Sequence, residues 1–111
     1  MKKEVYILGV PYVIRFLSPK KWRKCIGLDK EDRKNEDLCG ICYGDRRTIF
    51  VKTGDDPESM DRVTRHEIIH AFQFESGVWY AMNKLWDVEN DTDWLANQFH
   101  KIGAVFKELN I

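Results

Sequence analysis

No stretch of this sequence approaches the roughly 20 apolar residues that a membrane-spanning helix needs, so no span is expected. An excess of one charge is also missing. Eighteen Lys and Arg balance eighteen Asp and Glu in 111 residues, which removes the global electrostatic footprint of a nucleic-acid binder or a membrane-surface protein. Cysteine is scarce: Cys25, Cys39 and Cys42 are an odd set, better suited to a reducing compartment than to a disulfide framework. Cys39 and Cys42 have a knuckle-like spacing, but no second such pair exists to close a four-ligand structural site. They are expected to act as small hydrophobes, buried on neighbouring strands. The basic start carries an apolar run broken by Gly9 and Pro11, too short for a signal peptide, and points to the cytoplasm.

What is present is enough for one domain. With 43% hydrophobic and 13% aromatic residues, a chain of this length can bury a core without staples. The expected class is α+β: a small antiparallel or mixed sheet of two hairpins in residues 1–52, packed against a helix over 56–76 and a C-terminal helix over 92–109. Residues 4–8 and 12–17 are rich in β-branched and aromatic types and flank a turn at Gly9-Val10-Pro11, which predicts the first hairpin. Ser18 and Pro19 can cap and start a short helix whose cations surround an inward-turned Trp22. Residues 29–37 are almost wholly charged and read as an exposed loop. Leu38–Tyr43 and Arg47–Lys52, joined by Gly44-Asp45-Arg46, form the second hairpin. Thr48-Ile49-Phe50-Val51 is the best strand signal, and as an edge strand it can hold an extended peptide.

Histidine is equally scarce, yet two of the three fall four residues apart in His66-Glu67-Ile68-Ile69-His70. On a helix that spacing stacks both rings on one face, where they can share one metal ion. Glu67 follows about one hundred degrees round the helix and can reach a water at the metal without being a ligand, the general-base position of this motif. The helix has its own signals: Asp56 as N-cap, Pro57 in the first turn, Glu58 facing the dipole and Gly77 as a stop. Met60, Val63, Ile68, Ala71 and Phe72 supply its apolar surface. Residues 78–90 are apolar enough for a short helix or an ordered loop. In the last helix Leu95, Phe99, Ile102, Phe106 and Leu109 recur at spacings of three and four, which predicts the core-facing stripe. Asp93, Asn97 and His100 align on another stripe, expected to face the metal.

A catalytic zinc needs a third protein ligand beside His66 and His70. Asp93, His100, Glu75, Glu89 and Asp91 are the candidates. Asp93 is preferred because it opens a helix able to cross the first, with Asn97 one turn on to orient a ligand. Val63 to His70 joined to Asp93-Trp94-Leu95-Ala96-Asn97-Gln98-Phe99 resembles the gluzincin metallopeptidases, most closely the small ImmA/IrrE-type peptidases and related short phage and prophage proteins. The resemblance covers roughly residues 47–106. It implies a minimal zincin-like core, zinc on His66, His70 and Asp93, Glu67 as general base, and a protein substrate, often a transcriptional regulator. Two departures stand out: the family usually has Glu where this chain has Asp93, and the extension that follows in larger members is absent. Gln73 and Ser76 also break the metzincin pattern.

The expected activity is therefore hydrolysis of a peptide bond by water activated on zinc, with Glu67 moving the proton. His100 and Tyr80 are candidates for stabilising the oxyanion. A non-catalytic zinc-binding regulatory protein is the alternative, and it differs in tolerating Glu67→Gln. A nucleic-acid module built on Lys20 to Lys24 would show salt-sensitive DNA binding, but the neutral chain argues against it.

Overall fold

The computed structural model describes residues 1–26, 39–78 and 88–111, apart from the side chains of residues 88–90 and 93. The expected loop at 29–37 and the stretch 79–87, Tyr80 included, lie outside the described residues. Four strands, β1 (Lys2–Ile7), β2 (Val10–Leu17), β3 (Gly40–Tyr43) and β4 (Thr48–Lys52), form one mixed sheet in the order β1-β2-β4-β3. Three described helices accompany it: α1 (Pro19–Ile26), α2 (Pro57–Glu75) and α3 (Val88–Leu109). The α+β class stands on these elements. Among the described residues no helix is long and apolar enough to cross a membrane.

The first hairpin turns at Leu8-Gly9 rather than at Gly9-Val10-Pro11. Both turn residues have positive φ, 51° and 82°, the backbone that a two-residue turn matched to strand twist requires. Pro11 sits inside β2, paired with Tyr6. Its missing N–H faces the β4 side, and β4 begins to pair with β2 only at Val13, so no ladder bond is lost.

β2 runs parallel to β4, whereas β3 pairs with β4 antiparallel. This arrangement corrects the expected edge. The Thr48–Val51 strand is internal, with Ile49 and Val51 fully buried, and β3 forms the edge beside α2. The strong β-propensity of Thr48-Ile49-Phe50-Val51 reflects burial on both faces rather than a role at the rim.

Alternation along the strands builds two apolar layers. One face sends Val5, Ile7, Tyr12, Ile14, Ile49 and Val51 against Ile68, Ala71 and Phe72 of α2 and Trp94, Ile102 and Val105 of α3. The other sends Leu17 and Phe50 against Trp22, which is 1% exposed. Trp22 is thus turned inward, as its place among cations predicts. Ser18 Oγ accepts from the Lys21 backbone N–H at 3.3 Å and starts α1. The four cations of α1 are exposed, with Lys52 Nζ 5.8 Å from the Trp22 ring centre.

α3 starts at Val88, earlier than Thr92; Ile102, Phe106 and Leu109 pack on the core as expected, but the first part of the expected stripe does not. Leu95 and Phe99 are 47% and 70% exposed, while Trp94, Ile102 and Val105 are buried. The shift follows from Trp94: its large ring is buried and its Nε1–H donates to Ser76 Oγ at 2.8 Å, which fixes the rotation of the helix against the end of α2.

The cysteine expectation also changes. Cys25 is exposed on α1, Cys39 is half-buried just before β3, and Cys42 is half-buried on β3, where it packs on the core; none of the three forms a disulfide. Glycine explains how the turn after β3 lies so close to α2. A Cβ on Gly44 would meet the Phe74 ring at 2.4 to 2.7 Å, closer than any side chain permits. Gly44→Ala is therefore expected to lower the unfolding free energy by about 1–3 kcal/mol, as overpacking does, with urea denaturation as the measurement.

Candidate metal centre

α2 is fastened at both ends before it presents any chemistry. Asp56 accepts from the Ser59 backbone N–H at 2.9 Å as the N-cap, and the side-chain hydroxyl of Ser59 also donates to it at 2.8 Å. These bonds hold the Asp56 carboxyl below the usual range. Gly77, at φ 81°, follows the last turn. Ile68, Ala71 and Phe72 anchor one face of the helix in the core, so the opposite face carries the histidines outward.

On that face His66 Nε2 and His70 Nε2 approach to 3.0 Å, with the rings edge to face and their centres 4.6 Å apart. Both nitrogens therefore aim at one point. A carboxylate oxygen of Glu67 completes a cluster whose candidate ligand atoms all lie within 4.8 Å of one another. This His66-Glu67-His70 cluster can hold a metal ion.

Gln73 joins the site without having been singled out by the motif. Its Oε1 lies 2.8 Å from His70 Nδ1. An Nδ1–H donated there leaves Nε2 with its lone pair free to bind a metal, the tautomer a ligand histidine needs. A signal for it exists, because Gln73 stands three residues after His70 and so on the same side of the helix. Gln73→Ala is expected to weaken metal affinity by about 10–100-fold, the usual consequence of losing such a partner, read by competition against a chromophoric chelator.

Glu67 is 6% exposed and lies against the bare backbone of β3. A Cβ on Gly40 would meet Glu67 Cγ at 2.9 Å and Oε2 at 3.2 Å. Burial pushes the Glu67 carboxyl above its ordinary range, against the opposing pull of His70 and His66. Cys42, next but one along β3, has its thiol pushed up to about 12 by burial, then by Glu67 and Glu75. It stays protonated at neutral pH in the metal-free chain.

The candidate third ligands separate clearly. Glu75 is committed elsewhere: it accepts from Tyr12 Oη at 2.7 Å and pairs with Arg47 at 3.7 Å. Burial and that bond raise the Tyr12 phenol well above its ordinary range. Asp91, Asn97 and His100 are exposed on α3, and neither Asp91 nor His100 belongs to the described cluster. The stripe of Asn97 and His100 therefore faces solvent, because the burial of Trp94 turns it away. Asp93 and Glu89 lie on α3, but their side chains are outside the described residues.

Two cavities flank the histidines along β3. One, of about 220 Å³, is lined by Cys42, Tyr43, Gly44, Asp45, His70 and Phe74. The other, of about 280 Å³, is lined by Cys39, Gly40, Arg62, Val63, His66 and Glu67. Each is lined by one histidine, so the histidine pair stands between the two cavities. Comparison of the chain with protein-family models, with curated proteins and with solved structures finds no match.

Proposed function

We propose that this chain is a zinc-dependent peptidase with a minimal zincin-like arrangement, in which an extended protein segment lies along β3 and is hydrolysed over α2. The observation that carries the reading is the convergence of His66 and His70 at 3.0 Å beside the buried Glu67 carboxylate. Two imidazoles and a carboxylate are donors suited to zinc. Tetrahedral ligands with bonds of about 2.0–2.1 Å stand roughly 3.3 Å apart, close to what the two rings already offer. Asp93 is proposed as third ligand, since Trp94 beside it fastens α3 to the end of α2.

The β3 edge supports a peptide substrate. Lys52 N–H donates to the Cys39 carbonyl at 2.8 Å, which makes Cys39 and Lys52 a hydrogen-bonded pair. In an antiparallel ladder such pairs alternate, so Ile41 and Tyr43 also turn their backbone groups to β4. Gly40 and Cys42 then turn theirs away from β4, to an edge that no described strand covers, where a peptide strand can bond to them. Gly40 also lies on Glu67, so a peptide held there is delivered to the carboxylate.

Zinc, when bound, supplies Lewis-acid polarisation of a carbonyl and makes water a stronger acid. The chain's own residues do the rest. Glu67, shielded by Gly40 and Val63, takes a proton from the attacking water and returns it to the leaving nitrogen. Gln73 holds His70 in the ligand tautomer, and the backbone of Gly40 and Cys42 fixes the peptide. The test is zinc content of the purified chain by mass spectrometry, followed by incubation of the zinc-loaded protein with an unfolded, carboxymethylated protein. About one zinc per chain and new peptide termini are expected; a chain that takes up no zinc on reconstitution would end the reading.

A further inference from the structure

We propose that the sheet face turned away from the metal centre, together with α1, binds single-stranded nucleic acid through its phosphates. The inference is independent of the peptidase reading. The chain is neutral as a whole, so a charged surface can arise only by segregation, and the fold supplies it. Arg15 pairs with Phe50 across β2 and β4, and its guanidinium carbon lies 5.8 Å from the centre of that ring. Phe50 packs with Trp22 of α1, whereas α2 packs on the opposite face. Arg15 therefore stands on the α1 side. Arg46, in the turn after β3, reaches the same side: its guanidinium carbon is 4.8 Å from the Tyr43 ring centre, and Tyr43 is edge-on to Phe50 at 5.8 Å. Two guanidiniums thus end a row of two rings that crosses β4 and β3.

α1 extends this surface. Trp22 is turned to the sheet, and Lys20, Lys21, Arg23 and Lys24 fall on the other half of the helix, all exposed. The helix itself holds no carboxylate. β1 adds Lys2 and Glu4, the partners of Arg15 and Val13, whose charges cancel. Six cations are gathered on one side, and among the described residues no carboxylate lies within ion-pair distance of any of them. Like charges held together repel one another, and a bound polyanion relieves that repulsion.

Side-chain chemistry favours a nucleic-acid strand among polyanions. A cation–π contact engages the charge of Arg15 and Arg46 and leaves their N–H donors, whose fork matches two oxygens of a phosphate. Tyr43 is half-buried and offers an unstacked base an aromatic surface beside Arg46, the combination of stacking and backbone contact that single-strand binders use. A duplex keeps its bases inside and gains nothing from that ring. Lipid is disfavoured because Trp22 is 1% exposed and Ile26 packs beside it, so α1 has no large apolar side chain to insert into a bilayer. Phosphate contacts carry no sequence information, and no base preference is expected.

The test titrates the full chain, as purified, into a fluorescently labelled oligothymidylate of about 16 nucleotides and reads anisotropy over a range of salt. Binding is expected, with the logarithm of the association constant falling by about 0.7 per tenfold rise in salt for each phosphate neutralised. Arg15→Gln with Arg46→Gln should lower that slope by about 1.4 and weaken binding on the order of 10- to 100-fold. Lys20→Gln with Lys24→Gln is a second pair, on α1, with the same expectation. Lys101→Gln with Lys107→Gln, both exposed on α3, removes equal charge elsewhere and should leave binding unchanged, as should His66→Ala. An equal loss in the α3 pair would reduce the effect to net charge. Loss in His66→Ala would place the strand at the metal centre. Tighter binding to a duplex of the same length or to phosphatidylserine vesicles would assign the face to another partner, and no binding at low salt would leave the cations to solvent. Each of these four results overturns the proposal. A chain that takes up no zinc ends the peptidase reading alone, because the titration needs no metal.

Discussion

Glu67→Gln is expected to abolish peptide hydrolysis, with kcat/KM lower by about 10²–10⁴-fold, while zinc content stays that of the unaltered chain. The amide keeps the shape of the carboxylate, so the packing against Gly40 and Val63 survives. What is lost is a group that can accept a proton from water and return it to the leaving nitrogen. Burial, the largest cause, raises the Glu67 carboxyl above its ordinary value, with His70 and His66 acting in the opposite direction. The consequence for stability of the metal-free chain has a definite sign. A carboxyl whose folded pKa is raised contributes stability that is fully present below its unfolded value, about 4.3, and is lost as pH rises through the folded value. At neutral pH the buried charge is a net cost, and the substituted amide removes it. Metal-free Glu67→Gln should therefore melt higher than the unaltered chain at pH 7, and the gap should close as the buffer is taken below about pH 4. An inactive but more stable variant is the signature of a site that trades stability for chemistry. Equal activity of the two proteins would move the chain to the non-catalytic zinc-binding class.

The ligand helix is legible in the sequence because every signal for it is local. Asp56, Pro57 and Gly77 mark its ends, and the spacing of His66 and His70 follows from helical pitch alone; the structure reproduces both. Both hairpins are also readable, since turn chemistry and strand composition lie within a few residues of one another. The strand order is not. Thr48-Ile49-Phe50-Val51 has the composition of a strand buried on both sides, but only the parallel pairing with β2, more than thirty residues earlier, shows that β3 is the edge. The rotation of α3 is hidden for a similar reason. Leu95 and Phe99 share a stripe with Ile102, Phe106 and Leu109, as a core face should, and nothing in that pattern reports that Trp94 will find Ser76 at the end of α2. With the rotation fixed by a tertiary bond, Asn97 and His100 turn to solvent. Gln73 escapes notice for the opposite reason: its signal is local, but a glutamine in a helix has no distinctive composition until the histidine beside it is seen to need a partner.

His66→Ala and His70→Ala are each expected to reduce bound zinc from about one per chain to near zero after dialysis, measured by mass spectrometry of the intact protein. The two imidazoles bring a pair of ring nitrogens to 3.0 Å on this face, and a zinc site that loses one of three protein ligands is left with two, too few to hold the ion against a chelator. The third position can be assigned by the same measurement. Asp93→Ala should match the histidine variants, whereas His100→Ala should keep its zinc, because His100 is exposed and outside the cluster. Glu89 lies one helical turn before Asp93 on α3 and so on the same side of that helix. If Glu89→Ala loses the metal while Asp93→Ala retains it, the ligand is Glu89, and the chain reaches the ion with the longer side chain that gluzincins usually employ. Retention of zinc by either histidine variant would place the ion elsewhere and remove the ground on which Glu67, Gln73 and the β3 edge were joined into one site.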